Sequence, residues 1–224
     1  MTPTLPAMPL NRRRALLRSL AASCVAPLAA RAQSPSPARP AAALTDAARA
    51  AAASAHFPFG PVVPARPMPA WPLTTHLGQP TTLRALTQGK LTALQLMFTG
   101  CSATCPIQGA IFAEAQRQLG AGVSGAQFVS LSIDPLSDTP KALAAWLKDL
   151  GAQAGWVAAA PRMNELDALF ELLSGPRVGK RSGPDPHTGQ VYFLSRRGEL
   201  VYRSADLPPP DQIVQMMRRV DAAG

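Results

Sequence analysis

The hydrophobic positions of the chain follow two periodicities, which together predict alternating strands and helices. Two apolar runs, 91–98 and 127–133, are bounded by turn residues and predict buried central strands. The segments 191–195 and 199–203 flank a short turn and predict a terminal β-hairpin. Shorter strands are predicted at 71–75, 81–83 and 156–157, and helical spacing predicts helices over 107–119, from Asp138-Thr139-Pro140 to Gly151, over 161–173 and over 211–220.

Two cysteines lie at the turn between the first central strand and the helix that follows it. Cys101 and Cys105 are four residues apart, so both thiols lie near the N-terminus of the predicted helix. The helix dipole there favours the thiolate over the thiol. Thiolates bind soft metal ions and attack disulfides, so this turn is the predicted functional centre.

The strand–helix alternation ends in a hairpin and a last helix, which is the layout of a thioredoxin-like sandwich. The pattern alone is shared by other mixed-sheet folds. The turn that contains Cys101 and Cys105 (the thiol turn) follows a central strand, and this favours the thioredoxin-like fold. We therefore predict an α/β fold, a thioredoxin-like sandwich with a central mixed sheet flanked by helices, preceded by a disordered N-terminal segment. A chain of 224 residues with 47% hydrophobic content is long enough for one sizeable core.

The N-terminus has the features of an export signal. Asn11–Leu17 resembles a twin-arginine motif, an apolar stretch follows over 15–30, and Ala30-Arg31-Ala32 has the pattern of a signal peptidase site. An uncleaved membrane anchor is disfavoured, because the apolar stretch is shorter than the roughly 20 residues of a membrane span. Lipidation at Cys24 is an alternative that would tether the protein to a membrane surface, and the export route stays open.

These features divide the chain into three parts. Residues 1–32 are the predicted signal peptide, 33–66 a disordered linker rich in alanine and proline, and 67–224 the folded domain. The predicted location is the periplasm, with membrane anchoring only if Cys24 is lipidated. An inert structural disulfide is the plainer interpretation of the remaining cysteines, but one bridge over so short a loop would constrain the unfolded chain little.

The net charge of +9 does not indicate a nucleic-acid partner. Five arginines lie in the first 32 residues, which contain no acid; the 22 lysines and arginines less these five leave 17 against 13 acids, a net charge of +4. The remaining bases are scattered, without a basic stripe interleaved with aromatic residues. We therefore expect no nucleic-acid partner.

Three ordered signatures resemble the Sco/SenC copper-chaperone family. Phe98–Pro106 is similar to the family's Cys-x-x-x-Cys-Pro motif, and Ser132–Pro140 is similar to its Asp-Pro and Asp-Thr-Pro signature. His187 matches the family's distal histidine, upstream of a strand and a glycine hairpin. The resemblance covers about residues 69–220. It departs at Pro186, which separates Asp185 from His187, and at Ser102-Ala103-Thr104, which lacks the aspartate frequent between the cysteines.

The resemblance implies a copper site formed by Cys101, Cys105 and His187. Two thiolates and an imidazole suit Cu(I) or Cu(II), whereas a structural zinc site needs a fourth ligand. The implied function is copper delivery, with a copper-receiving respiratory oxidase subunit or its assembly factors as partner. The other histidines, His56 in the linker and His76 in the first hairpin turn, are interpreted as polar surface residues.

A thiol–disulfide oxidoreductase is the alternative function. In it Cys101 and Cys105 would be the catalytic residues, with a thiol reductant as a further partner. The same dithiol serves both functions, so enzymatic activity stays an open question. His187 discriminates between them, because a reductase works without it, and the Cys-x-x-x-Cys spacing differs from the Cys-x-x-Cys of disulfide exchangers. Asp134 and Asp138 are interpreted as turn and cap groups.

Overall fold

Within residues 58–174 and 189–224, the part of the chain that the computed structural model describes, an eight-stranded mixed sheet is flanked by helices. The strands are β1 Gly60–Pro67, β2 Pro72–Thr75, β3 Pro80–Thr82, β4 Leu91–Met97, β5 Ala126–Ser132, β6 Trp156–Pro161, β7 Val191–Leu194 and β8 Glu199–Arg203. The helices are α1 Leu83–Thr87, α2 Thr104–Leu119, α3 Pro140–Asp149, α4 Leu166–Ser174 and α5 Pro210–Ala222, with short 3₁₀ turns at Gly120–Gly122 and Met163–Glu165.

The strand order across the sheet is β1-β8-β7-β4-β5-β6-β2-β3. Strands β4, β5 and β6 are parallel neighbours, and β7 pairs antiparallel with β4. The carboxyl ends of β4 and β5 and the beginning of β7 therefore meet at one edge of the sheet. The predicted mixed sheet flanked by helices is confirmed.

Strand β4 is buried along its whole length because helices cover both faces of the sheet. Leu91, Ala93 and Met97 belong to a core cluster that includes side chains of α2, α3 and α5. Leu94 and Leu96, which point to the other face, belong to a second cluster with side chains of α1 and α4. A continuous apolar run is what a central strand covered on both faces requires.

Aromatic side chains fill the first cluster. Phe112 of α2 is fully buried, and its ring centroid lies 5.3 Å from that of Phe128 and 5.7 Å from that of Trp156. Trp146 of α3 meets Trp156 edge-on at 5.9 Å. These contacts fix α2, the helix that follows the thiol turn, against the sheet.

The structure differs from the predicted elements at four places. Residues 60–66, assigned to the linker, form most of β1, which pairs with β8; its prolines are tolerated because the strand lies at the sheet edge and contains a register shift. Helix α1 was not predicted, and α2 begins three residues early, because Pro106 is compatible with a first helical turn. Residues 156–161 are all strand, so the next α-helix begins at Leu166.

Several predictions fall outside the described residues. These are the export signal over 1–32 with Cys24, the linker up to residue 57 with His56, and the segment 175–188 with His187. Among the described residues, the helices are all too short or too polar to cross a membrane.

Candidate metal and thiol site

The two cysteines lie at the turn between β4 and α2. The Cys101 amide donates to the Phe98 carbonyl at 3.2 Å, and the Cys105 amide donates to Cys101 Sγ at 3.4 Å. The Cys105 amide belongs to the first turn of α2, whose N–H groups have no partner within the helix. The four-residue spacing thus places the sulfur of Cys101 over the helix N-terminus.

Cys101 is the accessible thiol of the pair. Its side chain is half-buried, and it forms no disulfide. Burial raises the pKa of Cys101, but hydrogen bonds from the backbone of Cys105, Ala103 and Thr104, together with one from the Cys105 thiol, outweigh it and lower the pKa below its ordinary value. Cys101 is therefore the better nucleophile.

Cys105 is held as a neutral thiol. It is only 1% exposed, and burial raises its pKa to about 12. Burial is the largest cause of this raised pKa; the Cys101 thiol and the negative charge of Asp138 also raise it, whereas a hydrogen bond from the Phe98 backbone lowers it. The prediction that the helix N-terminus favours the thiolate agrees with Cys101 and is wrong for Cys105, because desolvation of the charged form exceeds the dipole effect there.

The buried carboxylate of Asp138 accepts hydrogen bonds from the thiol turn. Asp138 is 1% exposed and lies in the loop between β5 and α3. Its Oδ1 accepts from the Thr99 amide at 3.0 Å and from Thr99 Oγ1 at 2.5 Å, and its Oδ2 accepts from Ser132 Oγ at 2.6 Å. The sequence predicts a cap or turn role for Asp138, but the side chain that caps α3 is Thr139, which accepts from the Ala142 amide.

Sequence reasoning missed this role of Asp138. The available signal was that Thr139 can cap α3 by itself, so the neighbouring carboxylate of Asp138 is not needed for capping. By contrast, Asp134 forms a turn as predicted: its Oδ1 accepts from the Ser137 amide at 3.4 Å.

A buried amide links the thiol-bearing helix to the beginning of β7. Gln108 lies three residues after Cys105, and its Nε2 donates to the Gln190 carbonyl at 3.2 Å. The Gln190 side chain in turn donates through its Nε2 to the Ser204 carbonyl at 2.7 Å. The start of β7 is thereby tied to the first turns of α2, at the edge of the sheet where the cysteines lie. A polar residue at a core-facing helical position was the signal for this contact.

The structure brings Cys101 and Cys105 together, whereas His187 lies outside the described residues. Among the residues that are described, no group of three or more histidines, cysteines, aspartates or glutamates is placed to hold a metal ion. His76 is half-buried, away from the thiol turn, with Nδ1 at 3.3 Å from the Ala158 carbonyl. The described part of the site is thus a dithiol.

The dithiol fits a soft metal ion. Two sulfurs share a hydrogen bond at a helix N-terminus, and one of them is accessible. Thiolate ligands of this kind select Cu(I) and zinc over hard cations such as Mg²⁺. Since Cys105 is protonated at neutral pH, metal binding there has to release its proton.

Comparisons with solved structures support the fold. A SCO1/SenC family lipoprotein from Bacillus anthracis is 22% identical, with a TM-score of 0.57, over 71% of this chain and 98% of its own. ScoI of Bradyrhizobium japonicum, a structure with copper bound, is 22% identical, with a TM-score of 0.55, over 69% and 99%. BsSco, described as having a disulfide switch and as a member of the Sco family of cytochrome c oxidase assembly proteins, is 21% identical, with a TM-score of 0.58, over 70% and 94%. The likeness confirms the predicted thioredoxin-like fold.

Sequence comparison identifies the family. A search of curated proteins found no match. The family model described as SCO1/SenC matches residues 63–221, which is most of the chain and includes both cysteines, Asp138 and position 187. The family predicted from the three signatures is therefore confirmed: this chain belongs to the SCO1/SenC family.

Proposed function

We propose that this protein binds copper through Cys101, Cys105 and His187 and delivers it to the copper centre of a respiratory oxidase. The observation that carries the proposal is the hydrogen-bonded pair of free thiols at the N-terminus of α2. Family membership supports copper as the ion, since the B. japonicum relative has copper bound, and BsSco is described as belonging to a family of oxidase assembly proteins.

Covalent geometry supports His187 as the third ligand. Three residue steps separate His187 from Gln190, and a segment of that length spans at most about 11 Å. The Gln190 carbonyl accepts from Gln108, one helical turn after Cys105. This short connection to the start of β7, which is itself bonded to α2, supports the proposal that the His187 imidazole completes the site with the dithiol.

The experiment compares copper binding by wild type, His187→Ala and the matched control His76→Ala. Wild type is expected to bind one Cu(I) per chain, measured by competition with a chromophoric chelator, and to show sulfur-to-copper charge-transfer bands with Cu(II). Loss of even an outer hydrogen-bond partner of a ligand costs about 10- to 100-fold in affinity, so His187→Ala is expected to weaken binding at least that much. The control should bind as wild type. Unchanged affinity in His187→Ala would refute the ligand assignment.

A thiol–disulfide oxidoreductase is the second candidate, supported by the accessible Cys101 thiol with its lowered pKa. The Cys101 thiolate would attack a partner disulfide and expel one of its sulfurs as a thiolate. The other partner sulfur would stay bonded to Cys101 in a mixed disulfide. Cys105, once deprotonated, would attack the Cys101 sulfur and release the second partner thiol. The partner gains two electrons, and an external thiol reductant has to restore the dithiol.

Insulin reduction distinguishes this function from copper delivery. An exchanger should reduce insulin disulfides in the presence of glutathione, and His187→Ala should be as active as wild type. Cys101→Ser should abolish insulin reduction, both in the wild-type background and in His187→Ala. An activity absent from wild type would leave copper delivery as the function that the dithiol serves.

Export to the periplasm remains part of the proposal, with cleavage after Ala32 or lipidation at Cys24 as its two forms. The B. anthracis relative is described as a lipoprotein, which supports membrane association in that protein. The mass of the mature N-terminus from fractionated cells discriminates between the two. Retention of residues 1–32 in a cytoplasmic fraction would refute export.

A further inference from the structure

We propose that Asp138 is a positioning residue, whose buried carboxylate fixes Thr99 and thereby holds the loop of Cys101 in the arrangement that binds the metal ion. This inference rests on the proposed copper function. It assigns the task of holding the dithiol to a residue of the neighbouring strand–helix loop, outside the thiol turn itself.

The carboxylate bonds two separate parts of the chain. On one side Oδ2 accepts from Ser132 Oγ at the end of β5, and Ser132 Oγ also accepts from the Asp134 amide at 3.0 Å. On the other side Oδ1 accepts from both the amide and the hydroxyl of Thr99. Asp138 is 1% exposed, so its carboxylate is shielded from water, in an environment where charge-assisted hydrogen bonds are strong; the bond from Ser132 is fully buried and those from Thr99 are partly buried.

Thr99 lies two residues before Cys101, in the turn between β4 and α2. Beyond it, the Cys101 amide donates to the Phe98 carbonyl at 3.2 Å. The helix side of the turn is fixed by the Cys105 amide on Cys101 Sγ. Asp138 thus fixes the end of the turn that follows β4, and the N-terminus of α2 fixes the end that leads into the helix. Loss of either set of hydrogen bonds allows the Cys101 sulfur to move.

A cap role alone does not explain these contacts. Thr139 provides the side-chain cap of α3, through its bond from the Ala142 amide at 3.2 Å. Asp138 makes its three side-chain bonds to residues of β5 and of the thiol turn instead. The two neighbours therefore separate helix capping from positioning of the dithiol, which provides a matched control.

The test compares Asp138→Leu, Asp138→Asn and Thr139→Ala in the full chain by Cu(I) competition and by hydrogen exchange of the peptide 98–105. Asp138→Leu removes every acceptor and should weaken Cu(I) binding at least 10-fold and speed exchange of 98–105 at least 10-fold. Asp138→Asn keeps Oδ1 for Thr99 and should remain within about three-fold of wild type on both measures. Thr139→Ala should lower the thermal midpoint without changing either measure.

Two outcomes would overturn the inference. One is wild-type exchange and affinity in Asp138→Leu; the other is an equal change in Thr139→Ala, which would indicate general destabilisation. If Asp138→Leu does not fold, a comparison of Thr99→Val with Thr99→Ser tests the hydrogen bond from the Thr99 hydroxyl to Asp138. Weaker Cu(I) binding and faster exchange of 98–105 are expected only in the valine variant. Failure of wild type to bind copper would refute the proposed function, whereas the exchange measurement would still decide the role of Asp138.

Discussion

Selective alkylation of the two cysteines tests the asymmetry on which the site depends. Iodoacetamide reacts with thiolates, so its rate at each cysteine follows the thiolate fraction and the exposure of the sulfur. Cys101 is half-buried with a lowered pKa, whereas Cys105 is 1% exposed with a pKa raised from 9.0 to about 12. We expect the native protein to be modified at Cys101 first.

The magnitude follows from the pKa of Cys105. A rise of about three pH units reduces its thiolate fraction at neutral pH about 1,000-fold relative to an unperturbed thiol. Because the pKa of Cys101 moves in the opposite direction, the thiolate fractions of the two cysteines should differ by more than about 1,000-fold. The less acidic thiolate is intrinsically more nucleophilic, which offsets part of this difference, so the ratio of the two rates should be at least about 30. Burial of the Cys105 sulfur increases the ratio further.

The assay is a time course at pH 7.5, quenched in acid and analysed by peptide mass spectrometry. Both cysteines fall within the tryptic peptide 91–117, so fragment ions are needed to assign the modified residue. In denaturant the environment of the thiols is lost, and the two rates should become equal. Comparable rates at Cys101 and Cys105 in the native protein would refute the assignment of Cys105 as the protonated partner.

Three further predictions concern stability. Phe112→Ala removes the centre of the aromatic cluster and should lower the free energy of unfolding in urea by about 3–5 kcal/mol; a loss below about 1 kcal/mol would contradict the packing. Gly109→Ala would place a Cβ 2.5 Å from Leu150 Cδ1, so despite better helix propensity it should cost about 1 kcal/mol, and a stabilised variant would contradict this. Because Cys105 ionises near pH 9 when unfolded but near 12 when folded, wild type should lose up to about 4 kcal/mol between these pH values relative to Cys105→Ala; parallel pH curves for the two proteins would contradict the raised pKa.

Much of the sheet is predictable from the sequence because its central strands are simple patterns. The continuous apolar run of β4 and the alternation before Asp134 each require a buried strand, and both appear within one residue of the predicted bounds. Strand β1 was missed because its three prolines argue against a strand, and only pairing with β8 at the edge of the sheet makes them acceptable. That pairing is a long-range fact which local pattern does not contain.

The site divides in the same way. The positions of Cys101 and Cys105 at a strand–helix turn follow from local sequence, as does the dipole that acts on them. The opposite pKa shifts of the two thiols do not, because they depend on how deeply the fold buries each sulfur and on which groups donate hydrogen bonds to it. The role of Asp138 likewise depends on β5 lying beside β4, which brings residue 138 to Thr99, 39 positions earlier in the chain.

The asymmetry of the thiols also bears on the choice between the two functions. A disulfide exchanger needs its second thiol to ionise at each turnover, and a pKa of about 12 leaves Cys105 almost entirely protonated at neutral pH. A soft metal ion, by contrast, competes with the proton for the Cys105 sulfur. It bonds directly to that sulfur and releases the proton. Binding then cancels the repulsion between the Cys105 thiolate and Asp138, which raises the pKa of the apo site. A buried, protonated second thiol therefore hinders exchange more than it hinders metal capture, and this favours the copper-binding function.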